Sequence, residues 1–200
     1  MNVWLTSDCH FSHRNILKLG KGRPFDNIEE HDQTLINNWN SVVAPGDVVY
    51  VLGDMFFTLD MGYMEYVLGQ LNGSKHLILG NHDRTKIQAY LLNKNLWQSI
   101  RDNNSINCTL ANGKTIRVIM SHYPILEFNG AYRQCYMHAY GHIHDITNYD
   151  YIYRELGFKA VNVGVDVSGN IVNTDPFTPV NIENAWLQAN LIANGNTDEA

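Results

Sequence analysis

The sequence predicts an α/β fold, an α/β/β/α sandwich in which two sheets pack face to face with helices outside. Three observations carry this. The first half of the chain alternates short apolar runs with longer stretches of helical periodicity. From residue 96 onward the texture is mostly strand-like. Five apolar runs close on acidic, amide or imidazole side chains, as expected where strands of an α/β sheet deliver a site at their carboxyl ends.

The elements run in order along the chain. "NVWLTSD" (2–8) reads as a first buried strand. "DNIEEHDQTLINNWNSVV" (26–43) reads as a helix, with Asp26 and Glu29 as its capping box and Ile28, Leu35, Ile36, Trp39, Val42 and Val43 as its core-facing stripe. "APGD" (44–47) stops it. "VVYVLGD" (48–54) is a second strand, 61–71 a helix, and "HLILGNHD" (76–83) a third strand ending in polar residues. Asn112-Gly113, between two alternating runs, is a hairpin signal. The stretches 136–153 and 159–167 are expected to add strands, and "NIENAWLQANLI" (181–192) a closing helix. One domain over residues 1–193 and a flexible tail over 194–200 are expected, with no linker between the two halves.

Bulk properties narrow the class. The chain has 200 residues, 44% apolar and 17% charged, an ordinary globular balance with room for a sizeable core. No apolar run approaches the ~20 residues needed to cross a bilayer, and no signal peptide is evident. Cys9, Cys108 and Cys135 are an odd, scattered set, which fits no disulfide framework and suits a reducing cytosol. A cytoplasmic location without membrane partners is therefore expected. The net charge of −6 argues against a protein that coats nucleic acid. It leaves small anionic substrates open, because bound divalent ions reverse the local sign. No feature of the sequence speaks to oligomeric state.

The polar strand ends are "SDCH", "LGD", "LGNHD", "MSHYP" and "YGHIHD". Converging, they bring together Asp8, His10, Asp54, Asn81, His82, His122, His142 and His144. These are too many donors for one tetrahedral zinc. They suit two metals that share a bridging carboxylate, and mixed imidazole and carboxylate donors favour manganese, iron or zinc over calcium or magnesium. Asp8 and His10 are expected to point to one side of an extended segment, with Cys9 pointing away as a small buried filler.

The series D-x-H, GD, GNHD, H and GHxH, over residues 8–144, resembles the calcineurin-like metallophosphoesterase family. "SDCHFSHRNI" followed by "GRPF" is further similar to small single-domain members from bacteria and phages. The resemblance implies the two-sheet fold and two divalent ions, manganese first, with iron, zinc or nickel as alternatives. It assigns Asp8, His10, Asp54 and His144 to one ion and Asp54, Asn81, His122 and His142 to the other, with Asp54 bridging. It makes His82 a general acid or transition-state stabiliser, not a ligand. The implied activity is hydrolysis of a phosphodiester or phosphomonoester by a metal-bound hydroxide, on a small phosphate ester, nucleotides included.

Other residues carry weaker expectations. His13 and Arg23 are candidates for substrate contact from the loop after the first strand, Arg being suited to bidentate phosphate binding; the competing reading is a surface loop with a buried His13. His31, His76 and His138 read as structural. Tyrosines concentrate in 123–153, mainly as strand residues. "HIHD" (142–145) has a partial likeness to the metallo-β-lactamase HxHxD, but Ile146 stands where that motif needs histidine. Two further alternatives are a non-catalytic scaffold, which typically loses ligands that are all present here, and a nuclease, which would want a basic surface.

Overall fold

A computed structural model of the chain describes residues 1–146 and 148–195. Strands β1 (Val3–Thr6), β2 (Val48–Val51), β3 (Ser74–Ile78) and β4 (Ser99–Arg101) alternate with helices α1 (Ile28–Val42), α2 (Met61–Gln70) and α3 (Thr85–Asn93). Strands β5 (Asn103–Thr109), β6 (Thr115–Ser121), β7 (Tyr136–Tyr140) and β8 (Ala160–Asn162) come next, with helix α4 (Asn148–Leu156) between the last two. Strand β9 (Val180–Asn181) and helix α5 (Ile182–Asn194) close the chain.

The strands form two sheets, ordered β4-β3-β2-β1-β9 and β5-β6-β7-β8. In the first, β1 to β4 are parallel and β9 runs antiparallel along β1. In the second, β5 and β6 form the hairpin expected at Asn112-Gly113, and β6, β7 and β8 are parallel.

Side-chain alternation explains the layering. Val49, Val51 and Leu77 face α1, α2 and α3, where Leu35, Ile36, Trp39, Val67, Leu68 and Leu91 pack against them. Leu5 and Ile78 face the second sheet, meeting Ile116, Val118, Met120, Met137, Ala139 and Val161. The far face of the second sheet carries Tyr140 and Ala160 against Tyr153 of α4 and Ile192 of α5. Each fully buried aliphatic side chain stabilises this arrangement by about 1.5–3 kcal/mol. Among the described residues no helix is long and apolar enough to cross a membrane.

Three local expectations need correction. The start of α1 is capped one residue later than the sequence suggests: Asn27 accepts the Glu30 N–H at 2.8 Å, and the Glu30 carboxylate accepts the Asp26 N–H at 3.0 Å. The stretch 136–153 is not all strand, because its second half forms α4. Tyr149 and Tyr153 stand four apart and pack with Tyr140, at ring separations of 6.5 and 5.6 Å, so their spacing overrides the strand preference of tyrosine. Asn194 and Gly195, expected in a flexible tail, instead end and cap α5, with Gly195 at φ 76°; the remainder of that expectation lies outside the described residues.

His138 illustrates a core histidine. It is fully buried, contacts the Ile119 carbonyl at 3.0 Å through Nδ1, and accepts the Ile125 N–H at 3.1 Å on Nε2. Burial lowers its pKa to about 4, so the folded state holds it neutral. The unfolded chain therefore binds the extra proton first. The contribution of His138 is complete above about pH 6.5 and is lost as pH falls toward 4, roughly 3 kcal/mol in all. Urea denaturation should show this decline, and NMR titration of the folded protein should find the ring still neutral at pH 5. A folded-state titration near pH 6.5 would contradict the assignment.

Candidate metal centre

The polar residues of the site occupy the loops beyond the strands that feed it. The loop after β1 stays beside the loop after β2: the Asp8 N–H donates to the Gly53 carbonyl at 3.1 Å, His10 N–H to Asp54 at 3.0 Å, and Phe11 N–H to Met55 at 2.9 Å. These loops are not extended. Asp8, His10, Asp54, His142 and His144 all have left-handed backbone, with φ of 58°, 52°, 53°, 71° and 50°. That conformation costs on the order of 1–3 kcal/mol per non-glycine residue and persists where surroundings over-determine it. The expectation that Asp8 and His10 share a face of a strand is thus corrected: left-handed turns aim them. Cys9, between them, packs into the core, where burial pushes its thiol up to about 12.

The structure gathers the expected donors into two groups. Asp8, His10 and His144 form one, and Asp54, His122 and His142 the other, with the donor atoms in each group within 4.8 Å of one another. Asn81 joins the second group, its Oδ1 3.0 Å from His122 Nε2. The Asp54 carboxylate lies between the two, with Oδ2 3.4 Å from His122 Nε2 and 3.8 Å from His10 Nε2. Two glycines permit this closeness. A Cβ on Gly80 would collide with Asp54 Oδ1, and one on Gly141 with Asp8 Oδ2 and Ser7 Oγ.

The protonation balance suits a cation. Asp8 is fully buried, and its carboxyl is raised by desolvation. Its Oδ2 accepts the His142 N–H at 2.8 Å, while Oδ1 has no hydrogen-bond partner. Both ring nitrogens of His10 are also buried and unpartnered, and burial lowers that imidazole to about 3. A buried carboxylate oxygen beside a buried, neutral, unpartnered imidazole is costly as it stands. Bound divalent ions would satisfy both, so the residues present fit the group. Burial opposes ionisation of Asp54, but His122 and the His82 N–H, 2.8 Å from Oδ1, outweigh it and hold its carboxyl low.

A second layer orients these donors. His122 Nδ1 meets the Leu52 carbonyl at 2.7 Å, which turns Nε2 toward Asp54. His144 Nδ1 meets Asp166 Oδ2 at 2.8 Å. Burial opposes the imidazolium of His144, and this contact outweighs it. Asp83 Oδ2 accepts the N–H groups of Asp54 at 2.8 Å and Gly80 at 2.9 Å, tying two site loops together. Sequence reasoning missed both Asp83 and Asp166 as members of the site. Asp166 had a readable signal, since "VNVGVD" closes on an acid as the other strands do.

Arg23 does not reach toward substrate. It is buried; its Nε and one Nη grip Asp166 at 2.7 and 2.9 Å, and its remaining N–H groups meet the Asp8 carbonyl at 2.7 Å, the Cys9 carbonyl at 2.8 Å and His31 Nε2 at 2.8 Å. All five donors of the guanidinium are used, which leaves none for a phosphate. His13 lies at the cluster, stacked on Phe57 at 3.8 Å and 5.3 Å from the His10 ring. His82 is the exposed imidazole of the set, its side chain 39% accessible and its Nε2 3.9 Å from Asp54 Oδ2.

Comparison with known proteins agrees with this architecture. The family model for calcineurin-like phosphoesterases matches residues 1–166. An uncharacterized protein, MJ1445, of Methanocaldococcus jannaschii is 30% identical over 166 residues, 82% of each chain. The Gene 66 protein of Mycobacterium phage L5 is 31% identical over 195 residues, covering 87% of this chain and 91% of its own. A protein of unknown function from Aquifex aeolicus, AQ665, has a similar crystal structure, with a TM-score of 0.64 at 25% identity over 91% of this chain and 96% of that one.

The layer behind the donors can be tested without activity. Asp166→Ala removes the partner of His144 Nδ1 and is expected to weaken Mn²⁺ binding at the Asp8, His10 and His144 group by ~10–100-fold. The other group should keep its affinity. Calorimetric titration of wild type and variant resolves the two, and equal weakening at both groups would count against a local role for Asp166.

Proposed function

The chain belongs to the calcineurin-like phosphoesterase family, and from that premise we propose that it is a dinuclear metal-dependent phosphoesterase whose catalytic domain spans residues 1–193. The observation that carries this is the pair of donor groups joined at Asp54, with an exposed His82 beside them. Asp8, His10, Asp54 and His144 would hold one divalent ion, and Asp54, Asn81, His122 and His142 the other, with manganese the first candidate. Bound there, the ions supply Lewis acidity toward the phosphoryl oxygens and a water-derived nucleophile at neutral pH.

The side chains do the rest. Leu52 and Asp166 fix which nitrogen His122 and His144 present. Asp54 is held ionised by His122 and, through its backbone N–H, by His82. In-line displacement at phosphorus leaves the departing oxygen in need of a proton. The His82 imidazole is reachable from solvent and meets the Phe57 ring edge-on at 5.0 Å, which holds it at the mouth of the site. It donates to the leaving oxygen, a contribution of roughly 10²–10⁴-fold for a positioned acid. His13, with an unpartnered buried Nδ1, is a further candidate for substrate contact.

Two measurements test this. Asp54→Asn should weaken both ion sites at once, read by elemental analysis after Mn²⁺ saturation; fewer than two ions per wild-type chain would contradict the dinuclear reading. His82→Ala should keep both ions and lose kcat, most with alkoxide leaving groups and least with p-nitrophenolate, which departs without a proton. Undiminished turnover of both substrate types would remove His82 from the chemistry.

A further inference from the structure

Two clefts with no lining residue in common open beside the donor cluster, one at His144 and one at His82, both rings neighbouring His10. The His10 ring is 5.2 Å from that of His144 and 5.4 Å from that of His82. His144 and His142 line the first cleft, about 620 Å³ in volume. His82 and Asn81 line the second, about 300 Å³. A phosphomonoester has one organic substituent and needs one such cleft; a diester has two.

Resting on the phosphoesterase reading above, we infer that the substrate is a phosphodiester that keeps an uncharged aromatic or heteroaromatic substituent in the larger cleft, while the leaving group departs through the smaller one. The position of the proton donor sets the direction, because His82 lies on the smaller side. The larger cleft is walled by Ile16, Leu19, Ile143, Val167 and Phe177. Its size falls in the range of small-molecule sites, which are mostly apolar.

Its charges disfavour a second phosphate there. Apart from the donor histidines His142 and His144, Lys21 is the one basic residue among the described residues lining it, and two acids, Asp145 and Asp166, line it as well. Asp166 is already engaged by Arg23 and His144, and Asp145 Oδ2 accepts the Lys21 backbone N–H at 3.2 Å. The smaller cleft has Arg84 and Thr58 beside Phe57, so it receives a more polar group. The reaction balances as hydrolysis. Water adds its oxygen to phosphorus, the P–O bond on the His82 side breaks, and the alcohol leaves with one proton. The other water proton passes to the product monoester or solvent.

The test separates this inference from the activity itself. Hydrolysis of bis(p-nitrophenyl) phosphate, methyl p-nitrophenyl phosphate and p-nitrophenyl phosphate is compared on Mn²⁺-loaded protein, and binding of diphenyl and dimethyl phosphate is measured by calorimetry. The aryl diester should exceed the methyl diester in kcat/KM, and diphenyl phosphate should bind more tightly than dimethyl phosphate, each by about tenfold or more. Leu19→Gln and, separately, Ile146→Gln, both at exposed positions on the cleft, should shrink both ratios toward one. Equal handling of methyl and aryl diesters, or a preference for the monoester, overturns the inference. If none of the three esters is hydrolysed while diphenyl phosphate still binds selectively and loses that selectivity in Leu19→Gln, the hydrolase reading falls and the cleft assignment stands.

Discussion

The Arg23 guanidinium is the contact on which the site depends. It joins the carbonyls of Asp8 and Cys9 in the first site loop, His31 of α1 and Asp166 beyond β8, three separate segments of the chain. Through Asp166 it reaches His144, and through His31 it reaches Asp32, which in turn accepts the Ser12 N–H and the Tyr63 hydroxyl. A buried cation with all donors matched is stable only in that arrangement, because losing one partner of such a pair exposes the other to an uncompensated desolvation cost. Arg23 therefore fixes the loops as well as the charge.

That fixing offsets a backbone cost. Five donor-bearing residues sit in left-handed conformation, and their strain would relax in an isolated loop. Opposing it are the N–H bonds from one loop to the next: Asp8 to Gly53, His10 to Asp54, Asp54 to Asp83, His142 to Asp8. The last of these links the loop after β1 in one sheet to the loop after β7 in the other. The two sheets are thereby registered at their carboxyl ends, where the two donor groups meet.

How much of this was legible depends on the kind of signal. Strand ends were readable, because an acid or imidazole closing an apolar run is visible in one dimension, and all eight expected residues from Asp8 to His144 lie in or beside the cluster. The aim of Asp8 and His10 was not readable, since a left-handed turn of a non-glycine residue leaves no local mark. Arg23 was misread for a related reason. A guanidinium suits a phosphate and a buried carboxylate equally, and only the fold shows that Asp166, 143 residues away, takes it first. Helix α4 was missed because tyrosine favours strands, whereas here its spacing of four packs it on a helix face.

Chemistry and enclosure come from different parts of the chain. The family match ends at Asp166, which meets the donor His144. The residues beyond Asp166 perform other tasks: β9 covers the edge of β1, and α5 buries Ala185, Ala189 and Ile192 against the sheets. Between them, the chain contributes Val167, Asn170 and Phe177 to the larger cleft. Phe177 is held by an edge-on contact with Phe25, 5.2 Å away, two residues past Arg23 in the chain. The segment that anchors the buried cation thus also supports one wall of the cleft, so the walls can vary in shape while the donors stay where Arg23 and Asp166 hold them.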